Sequence, residues 1–420
     1  MEDAVKYTMA FGVVLLFAAC VTARPRGPAS PPLVHVGGTE TCVVREDGVA
    51  RCWGLMTERH IGGEGVQTPE PLRFVEAGVF QACGLSGSGV TLCSSRLGGD
   101  VPENCRAAVC LGPLRGGAGT SLVQVSTGYY HACALDAKGR AWCWGGNGMG
   151  QVGNARRPPD PGASGGERVA APARVAGSVA FEEISAGELH TCALTRRGEA
   201  YCWGYGQSGE LGRDTVMTYC SGAMPHPNTT CSVDRPMRVQ TPVRFRRISA
   251  GMRLTCALST DDAVWCWGSN YRCALGTCGT PDSPIPVRIA LPSPAASVDA
   301  GYWSACAITV DHRGWCWGNN VTGQLGSLVA SPNGVCFQGG MCTPTPSEVG
   351  GGHRWRSISA GESHSCGVRL DGEVFCWGAT TEGKLAGDGG SARCVNESST
   401  WKDEPCASSP VHMPRTPPPR

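Results

Sequence analysis

The sequence lacks a net charge of either sign. Its 36 Lys and Arg residues offset 35 Asp and Glu residues, which leaves a formal net charge of +1 over 420 residues. It also lacks the basic stripe through which proteins neutralise the phosphates of nucleic acids. We therefore expect no nucleic acid partner, and composition alone points to no strongly charged ligand.

Long apolar runs are scarce as well. The run "MAFGVVLLFAAC" (residues 9–20) is about a dozen residues long, whereas a transmembrane helix needs about 20. It fits the core of a signal peptide in residues 1–20. "FAAC" resembles the lipobox of bacterial lipoproteins, which would place lipidation on Cys20, although Phe17 is unusual there. Cleavage after Ala23 is the alternative, and it would discard Cys20.

These features predict an exported chain. Its destination would be the cell envelope, the outer surface or the medium, with membrane contact only through a lipid anchor. Residues 21–33, "VTARPRGPASPPL", read as an extended linker. We expect the tail 414–420 to be disordered.

Recognisable catalytic motifs are also missing. The sequence has no His-Glu-x-x-His and no phosphate-binding loop. His131, His190 and His364 occupy one repeated position, and an active site is normally single. We interpret them as structural histidines bonded to the backbone. We predict no catalytic, cofactor-binding or metal-binding residues, no cofactor and no enzymatic activity.

What the sequence has in excess is Gly (60), Pro (30) and Cys (25). The first two disfavour long helices. Fourteen cysteines recur as seven Cys-x9-Cys pairs, and Trp-Gly follows the second cysteine in six of them. The pairs are Cys42 and Cys52, Cys83 and Cys93, Cys133 and Cys143, Cys192 and Cys202, Cys256 and Cys266, Cys306 and Cys316, and Cys366 and Cys376. Such internal repetition decides the fold class before any other signal.

Each pair is predicted to staple one β-hairpin. Setting Cys192 opposite Cys202 leaves the loop Arg196-Arg197-Gly198, which suits a turn closed by a left-handed glycine. Directly opposite antiparallel residues are close enough for a disulfide. The third loop position is glycine in four other units and Asp262 in the fifth. The sixth unit has its glycine at Gly314, which predicts a different turn there.

Further extended segments flank every hairpin, so each unit offers about four short strands. An upstream block ends in glycine, as in "FEEISAGELHTC" (181–192), and a Pro-containing piece such as "APARV" (171–175) follows. So small a sheet cannot bury its faces alone. Seven such sheets packed around an axis would form a β-propeller. A linear β-solenoid is the alternative.

The repeat resembles that of the regulator of chromosome condensation family. The stretch "GYYHACALDAKGRAWCWGGNGMGQVG" (128–153) carries its motif elements in order. The resemblance extends over roughly residues 34–413 and implies an all-β fold, a seven-bladed propeller of four-stranded antiparallel blades. The paired cysteines resemble those of secreted bacterial members.

The remaining cysteines also form close pairs, apart from Cys20. Each pair lies after a hairpin and before the next Pro-containing strand, where it would close a loop insertion. These pairs are Cys105 and Cys110, Cys220 and Cys231, Cys273 and Cys278, Cys336 and Cys342, and Cys394 and Cys406. We interpret all twelve pairs as disulfides of an oxidising compartment. The x9 pairs do not converge as zinc ligands would.

The variable insertions indicate where function lies. In repeat proteins such insertions map to one face, often the binding face. We predict a non-catalytic, exported interaction scaffold that binds another protein through these loops. The alternative is a regulator of another enzyme, either a guanine nucleotide exchange factor for a small GTPase or an inhibitor of a secreted hydrolase.

Overall fold

The computed structural model describes the chain in eleven segments, all within the compact unit Pro32–Arg420. These segments are 34–38, 40–44, 48–56, 59–78, 81–94, 111–114, 121–156, 168–214, 232–327, 342–380 and 406–413. They are almost entirely strand and turn. The described part of the chain holds no helix with the length and apolarity that a membrane crossing requires.

Four consecutive strands form each of seven antiparallel sheets. Blades 1 to 3 comprise β1 (Val34–Val36), β2 (Glu40–Val44), β3 (Ala50–Met56), β4 (Arg59–Gly65); β5 (Leu72–Ala77), β6 (Ala82–Ser86), β7 (Thr91–Cys93), β8 (Gly112–Pro113); β9 (Leu122–Thr127), β10 (His131–Asp136), β11 (Ala141–Gly146) and β12 (Arg168–Arg174).

Blades 4 to 7 follow the same order. They comprise β13 (Glu183–Ala186), β14 (His190–Leu194), β15 (Ala200–Tyr205), β16 (Ser232–Arg238); β17 (Phe245–Ala250), β18 (Leu254–Ser259), β19 (Val264–Gly268), β20 (Ser283–Arg288); β21 (Ala295–Ala300), β22 (Ser304–Thr309), β23 (Gly314–Asn319), β24 (Cys342–Glu348); β25 (Trp355–Ala360), β26 (His364–Arg369), β27 (Val374–Ala379) and β28 (Cys406–His412). One 3-10 helix, Tyr271–Cys273, follows β19. The predicted seven-bladed propeller is confirmed.

The hairpin register between β14 and β15 agrees with the sequence prediction. Cys192 pairs with Cys202 and Leu194 pairs with Ala200. The amide of Thr195 donates to the carbonyl of Glu199, and Gly198 closes the turn at φ +74°. The same left-handed position is occupied by Gly48, Gly89, Gly139, Gly372 and Asp262.

The prediction of a different turn in the sixth unit was wrong. His312 takes the third loop position at φ +65°, and the amide of Thr309 donates to Arg313 as in the other hairpins. Histidine is among the residues that enter the left-handed region more readily than most. Gly314 instead pairs with Ile308 inside the hairpin, and a Cβ there would lie 2.9 Å from the Trp355 ring. The glycine therefore makes room for a buried tryptophan of blade 7.

The hydrophobic core is divided among the blade interfaces. Seven apolar clusters each join two neighbouring blades, and one of them packs Val34 and Trp53 of blade 1 against Cys366 and Met413 of blade 7. Burial of apolar area at these interfaces supplies the main stabilising term. Because the last cluster links the two terminal blades, the seven sheets form a closed ring.

A circle of hydrogen bonds follows the same interfaces near the axis. In each blade, the residue two positions before the "ISAG"-type glycine accepts a bond from a backbone N–H of the next blade, at 2.8 to 3.1 Å. The seven acceptors are His35, Glu76, Ser126, Ser185, Ser249, Asp299 and Ser359. Ser359 accepts from Val36 of blade 1, so the innermost strands close the ring without exchanging a strand.

Candidate functional site

The strand order assigns the loops to two opposite faces of the propeller. In an antiparallel blade, the first and third connections leave from one end and the second leaves from the other. The connections after the third strands, where the predicted insertions fall in the sequence, share a face with the connections between the first and second strands. We call this the insertion face, and the opposite one, which carries the stapled hairpin turns, the hairpin face.

Seven glycines bring the first connections of all blades close together on the insertion face. A Cβ added to any of them would lie 2.1 to 2.6 Å from the carbonyl oxygen of the corresponding glycine in the next blade. These ring glycines are Gly37, Gly78, Gly128, Gly187, Gly251, Gly301 and Gly361. Because only a residue without a side chain permits this approach, the glycines set the width of the ring.

In blades 3 to 7, the two residues after each ring glycine form what we call the mouth turns. Backbone hydrogen bonds tie four of these turns to the neighbouring blade: the amides of Tyr129, Glu188, Met252 and Tyr302 donate to the next ring glycine at 3.1 to 3.2 Å. The mouth turns of blades 3 to 7 therefore follow one another around the axis. Their side chains are half-buried, except that of Tyr130, which is exposed.

Aromatic rings dominate two of the mouth turns. The ring centroids of Tyr129 and Tyr130 lie 4.6 Å apart, and those of Tyr302 and Trp303 lie 4.5 Å apart. Trp303 has φ +64°, which is strained for a bulky residue and costs about 1–3 kcal/mol. Its carbonyl accepts a bond from Asn319 at 2.9 Å, which helps to hold the turn in place.

One disulfide-closed insertion extends this aromatic surface. Cys273 and Cys278 are bonded, and the Tyr271 ring just before them lies 4.7 Å from the Trp303 ring of the next blade. The base of the loop is fixed by Asn270, whose side-chain amide donates to the carbonyls of Thr277 and Thr280. An insertion and a mouth turn from different blades thus form one continuous surface.

Two carboxylates make the mouth electrostatically negative. Burial, together with the nearby Glu362 and Glu188, raises the pKa of Tyr129 and of Tyr302 well above the usual value for a phenol. Burial also raises the pKa of Glu188, although Arg253 partly offsets this. A negative charge disfavours the phenolate form next to it and favours a cation in the same space.

The seven hairpin cysteine pairs form disulfides away from this surface. Their Cα atoms lie 4.0 to 4.1 Å apart, and the sulfurs are almost fully buried. Because they are buried, they brace the blades from within the sheets. Four further predicted pairs lie outside the described residues in one or both members, as does Cys20: 105/110, 220/231, 336/342 and 394/406.

Three sulfurs of the insertions converge between blades 5 and 6. The Sγ atoms of Cys273, Cys278 and Cys342 lie within 4.8 Å of one another. Such a cluster could bind a soft metal as thiolates. Cys273 and Cys278 are bonded to each other, however, and Cys342 is also disulfide-bonded. The sulfurs therefore serve as bridges in this oxidised structure.

The recurring histidines are structural, but their partner differs from the one predicted. His131 Nε2 lies 2.7 Å from the hydroxyl of Thr191 in the next blade, and His190 and His364 bind Thr255 and Thr41 in the same way. All three are buried, and burial lowers the pKa of His131 to about 3. His131 and His190 remain neutral at physiological pH, and all three histidines connect blades through a side-chain hydroxyl instead of the backbone.

The tryptophans of Cys-Trp-Gly also connect blades. The indole of Trp203 donates to the carbonyl of Gln151 in the preceding blade at 2.9 Å, and Trp377 donates to Gln324 at 2.8 Å. They are fully buried and offer no ligand platform. The mouth turns are the site residues that the sequence did not predict.

The ring glycine before each turn recurs and could have marked their position. The residues that follow it do not repeat from blade to blade, so they gave no signal of their own.

The comparisons with known proteins match this architecture. A family profile described as RCC1-like domain covers residues 118–417. The chain is 29% identical over 169 residues to the probable E3 ubiquitin-protein ligase HERC6 of Homo sapiens, covering 39% of this chain and 15% of that protein. It is 28% identical over 285 residues to the E3 ubiquitin-protein ligase HERC2 of Mus musculus, covering 64% and 5%. The chain thus spans a small part of these relatives.

Solved structures show the same fold. Yeast RCC1 (Prp20), solved bound to Kap60, has a TM-score of 0.63 at 19% identity and covers 80% of both chains. Human WBSCR16 has a TM-score of 0.58 at 16% identity, covering 91% of this chain and 81% of that one. At these identities the likeness concerns the fold alone.

Proposed function

The chain belongs to the RCC1-like domain family, and from this premise we propose that it is a non-catalytic scaffold whose insertion face binds another protein. The observation that carries the proposal is the contact between Tyr271 and Trp303. It joins a prestapled insertion of blade 5 to a mouth turn of blade 6. Aromatic side chains of this kind anchor protein interfaces when they sit in a rigid surround.

Rigidity is the second support for the proposal. The disulfide at Cys273 and Cys278 and the hydrogen bonds of Asn270 order the loop before any partner arrives. A preordered loop loses less conformational entropy on binding. Relatives with the same fold also bind proteins: Prp20 was solved with Kap60, and its binding to Gsp1p and histones has been described.

Export forms part of the proposal. Buried disulfides in all seven hairpins suit an oxidising compartment, and the apolar run before Cys20 suits a signal peptide. The intact mass of the protein recovered from the envelope and the medium, measured before and after reduction, tests this. We expect removal of the leader, with or without acylation of Cys20, and full oxidation. Free thiols in the hairpin pairs would contradict it.

Site-specific photo-crosslinking tests which face binds. A benzoylphenylalanine replaces Tyr130 on the insertion face, and a matched variant carries it at Val310 on the hairpin face. These residues are 47% and 53% exposed, so the two probes are equally accessible. We expect a discrete adduct with envelope or secreted protein only from position 130. Equal adducts from both positions, or an adduct from 310 alone, would contradict the proposal.

A further inference from the structure

We propose that the mouth of the insertion face receives a lysine or arginine side chain of the partner protein, held between Tyr129, Tyr302 and the carboxylates of Glu188 and Glu362. This inference rests on the proposed function, because it specifies the chemistry of the same face. It concerns the mouth turns, whose geometry the ring glycines fix.

The order of the blades creates two tyrosine–glutamate pairs at the mouth. The amide of Tyr129 donates to Gly187, which directly precedes Glu188, and the amide of Tyr302 donates to Gly361, which directly precedes Glu362. Each tyrosine turn therefore lies beside a glutamate turn. Met252 stands between the two pairs in blade 5. The result is an arc over five consecutive blades, in which two aromatic–acidic pairs of turns flank the Met252–Arg253 turn of blade 5.

One cation, Arg253, shares the mouth turns of blades 3 to 7 with these carboxylates, and its charge acts on Glu188. Of the ten residues in these five turns, only Glu188, Arg253 and Glu362 are charged. The full set is Tyr129, Tyr130, Glu188, Leu189, Met252, Arg253, Tyr302, Trp303, Glu362 and Ser363. The Arg253 guanidinium carbon lies 5.6 Å from the Tyr205 ring centroid, so this cation already stacks on an aromatic face of blade 4.

An enclosed acceptor atom at Glu188 lacks a donor. Its Oε2 atom is shielded from solvent and has no hydrogen-bond partner among the residues that the structure describes, and the Nε atom of Arg253, whose charge acts on Glu188, has none there either. An enclosed acceptor without a partner costs about 1–3 kcal/mol, and an ammonium or guanidinium donor would remove that cost. Burial is the largest cause of the raised pKa values of Tyr129 and Tyr302, and the charges of Glu362 and Glu188 raise both further, so each carboxylate acts on both rings.

Other occupants fit less well. An anionic side chain would be repelled by both carboxylates, and an apolar one would leave the Glu188 acceptor unsatisfied. A cation gains from the carboxylates and from the faces of the tyrosine rings together. Lysine and arginine have the length to extend from a partner surface into such a mouth.

Fluorescence anisotropy with labelled peptides tests this inference on the full oxidised protein. The probes are short Gly-Lys and Gly-Arg peptides, with Gly-Glu and Gly-Leu peptides of equal length as controls. We expect the protein to bind the cationic peptides more tightly than the controls, and we expect added salt to weaken that binding. The double variant Glu188→Gln/Glu362→Gln should raise their Kd about tenfold. Glu199→Gln, a carboxylate on the hairpin face, should change it by less than about twofold.

A charge reversal provides an independent readout. Glu188→Lys should shift the preference toward the Gly-Glu peptide, which a merely destabilised protein would not do. Equal binding of cationic and anionic peptides by the wild type would overturn the inference, as would an unchanged Kd in the double variant. If adducts still form at position 130 in that case, only the cationic chemistry is wrong. If no adduct forms on the insertion face, the proposed function fails as well.

Discussion

Glu210 stands where blades 3 and 6 carry Gln151 and Gln324. The side chain of Gln151 accepts a bond from the amide of Met149, and Glu210 accepts one from Ser208 at 2.9 Å. Glu210 is 1% exposed, and its Oε1 has no hydrogen-bond partner among the described residues. Burial raises the pKa of Glu210 from 4.5 to about 8. In its protonated form the acid resembles the glutamine of the other blades.

The raised pKa of Glu210 predicts that the folded protein loses stability as the pH rises. Between the ordinary pKa of 4.5 and about 8, the folded protein keeps the proton while the unfolded chain releases it, so the free energy of unfolding falls as pH rises through this range. Glu210→Gln should therefore raise the melting temperature at about pH 8 and change it little at about pH 4. Thermal melts at both pH values measure the difference.

Glu183 provides the internal control for that prediction. Burial raises its pKa to about 7, so it contributes a decline in the same direction that remains in the Glu210→Gln variant. The variant should therefore show a shallower pH dependence, not a flat one. An identical pH profile in both proteins would mean that Glu210 is charged in the folded state.

The turn residues show how far the sequence could predict individual positions. Gly198 was predictable because the same loop recurs with glycine or aspartate in most units, and the turn needs a left-handed residue. His312 was not, because Gly314 lay nearby and offered a simpler explanation. The true reason for Gly314 is the Trp355 ring of the next blade. A requirement that comes from a neighbouring blade leaves no local signal in the sequence.

At the scale of the element, the two kinds of disulfide should have different effects. Cys192→Ala with Cys202→Ala removes a buried staple from an eleven-residue loop, worth at most roughly 2.5–3 kcal/mol. We expect a lower melting temperature with crosslinking at position 130 retained. Cys273→Ala with Cys278→Ala opens a shorter loop and should lower the melting temperature less. It should also weaken the crosslink, because it loosens the support of Tyr271. Thermal melts and adduct yields measure both effects.

One result would contradict these separate roles for the two disulfides. If loss of the Cys273–Cys278 bridge lowered the melting temperature as much as loss of the Cys192–Cys202 bridge, the insertion would serve to stabilise the propeller and not to support Tyr271 for binding. The strand register of the hairpins was predictable from the sequence, because the Cys-x9-Cys spacing of Cys192 and Cys202 occurs seven times. The mouth turns were not, because their side chains vary and become neighbours only through ring closure.

At the scale of the whole molecule, the ring glycines should tolerate no side chain. A Cβ at Gly251 would lie 2.2 Å from the carbonyl oxygen of Gly301, and neither atom can move without displacing a blade. Gly251→Ala should lower the free energy of unfolding by about 1–3 kcal/mol. Gly87→Ala is the matched control, because nothing lies within 4 Å of its Cβ position. Denaturant titration of both variants measures the contrast, and equal stability would show that the ring can widen.

Every blade is made of four consecutive strands, and Val34 and Met413 pack in one apolar cluster at the seam between blades 1 and 7. Because of this arrangement, no blade of the propeller is structurally required to come first in the chain. A linker joining the two ends, with a new opening cut between any other two blades, should produce a circularly permuted protein that keeps the same inner circle and the same mouth.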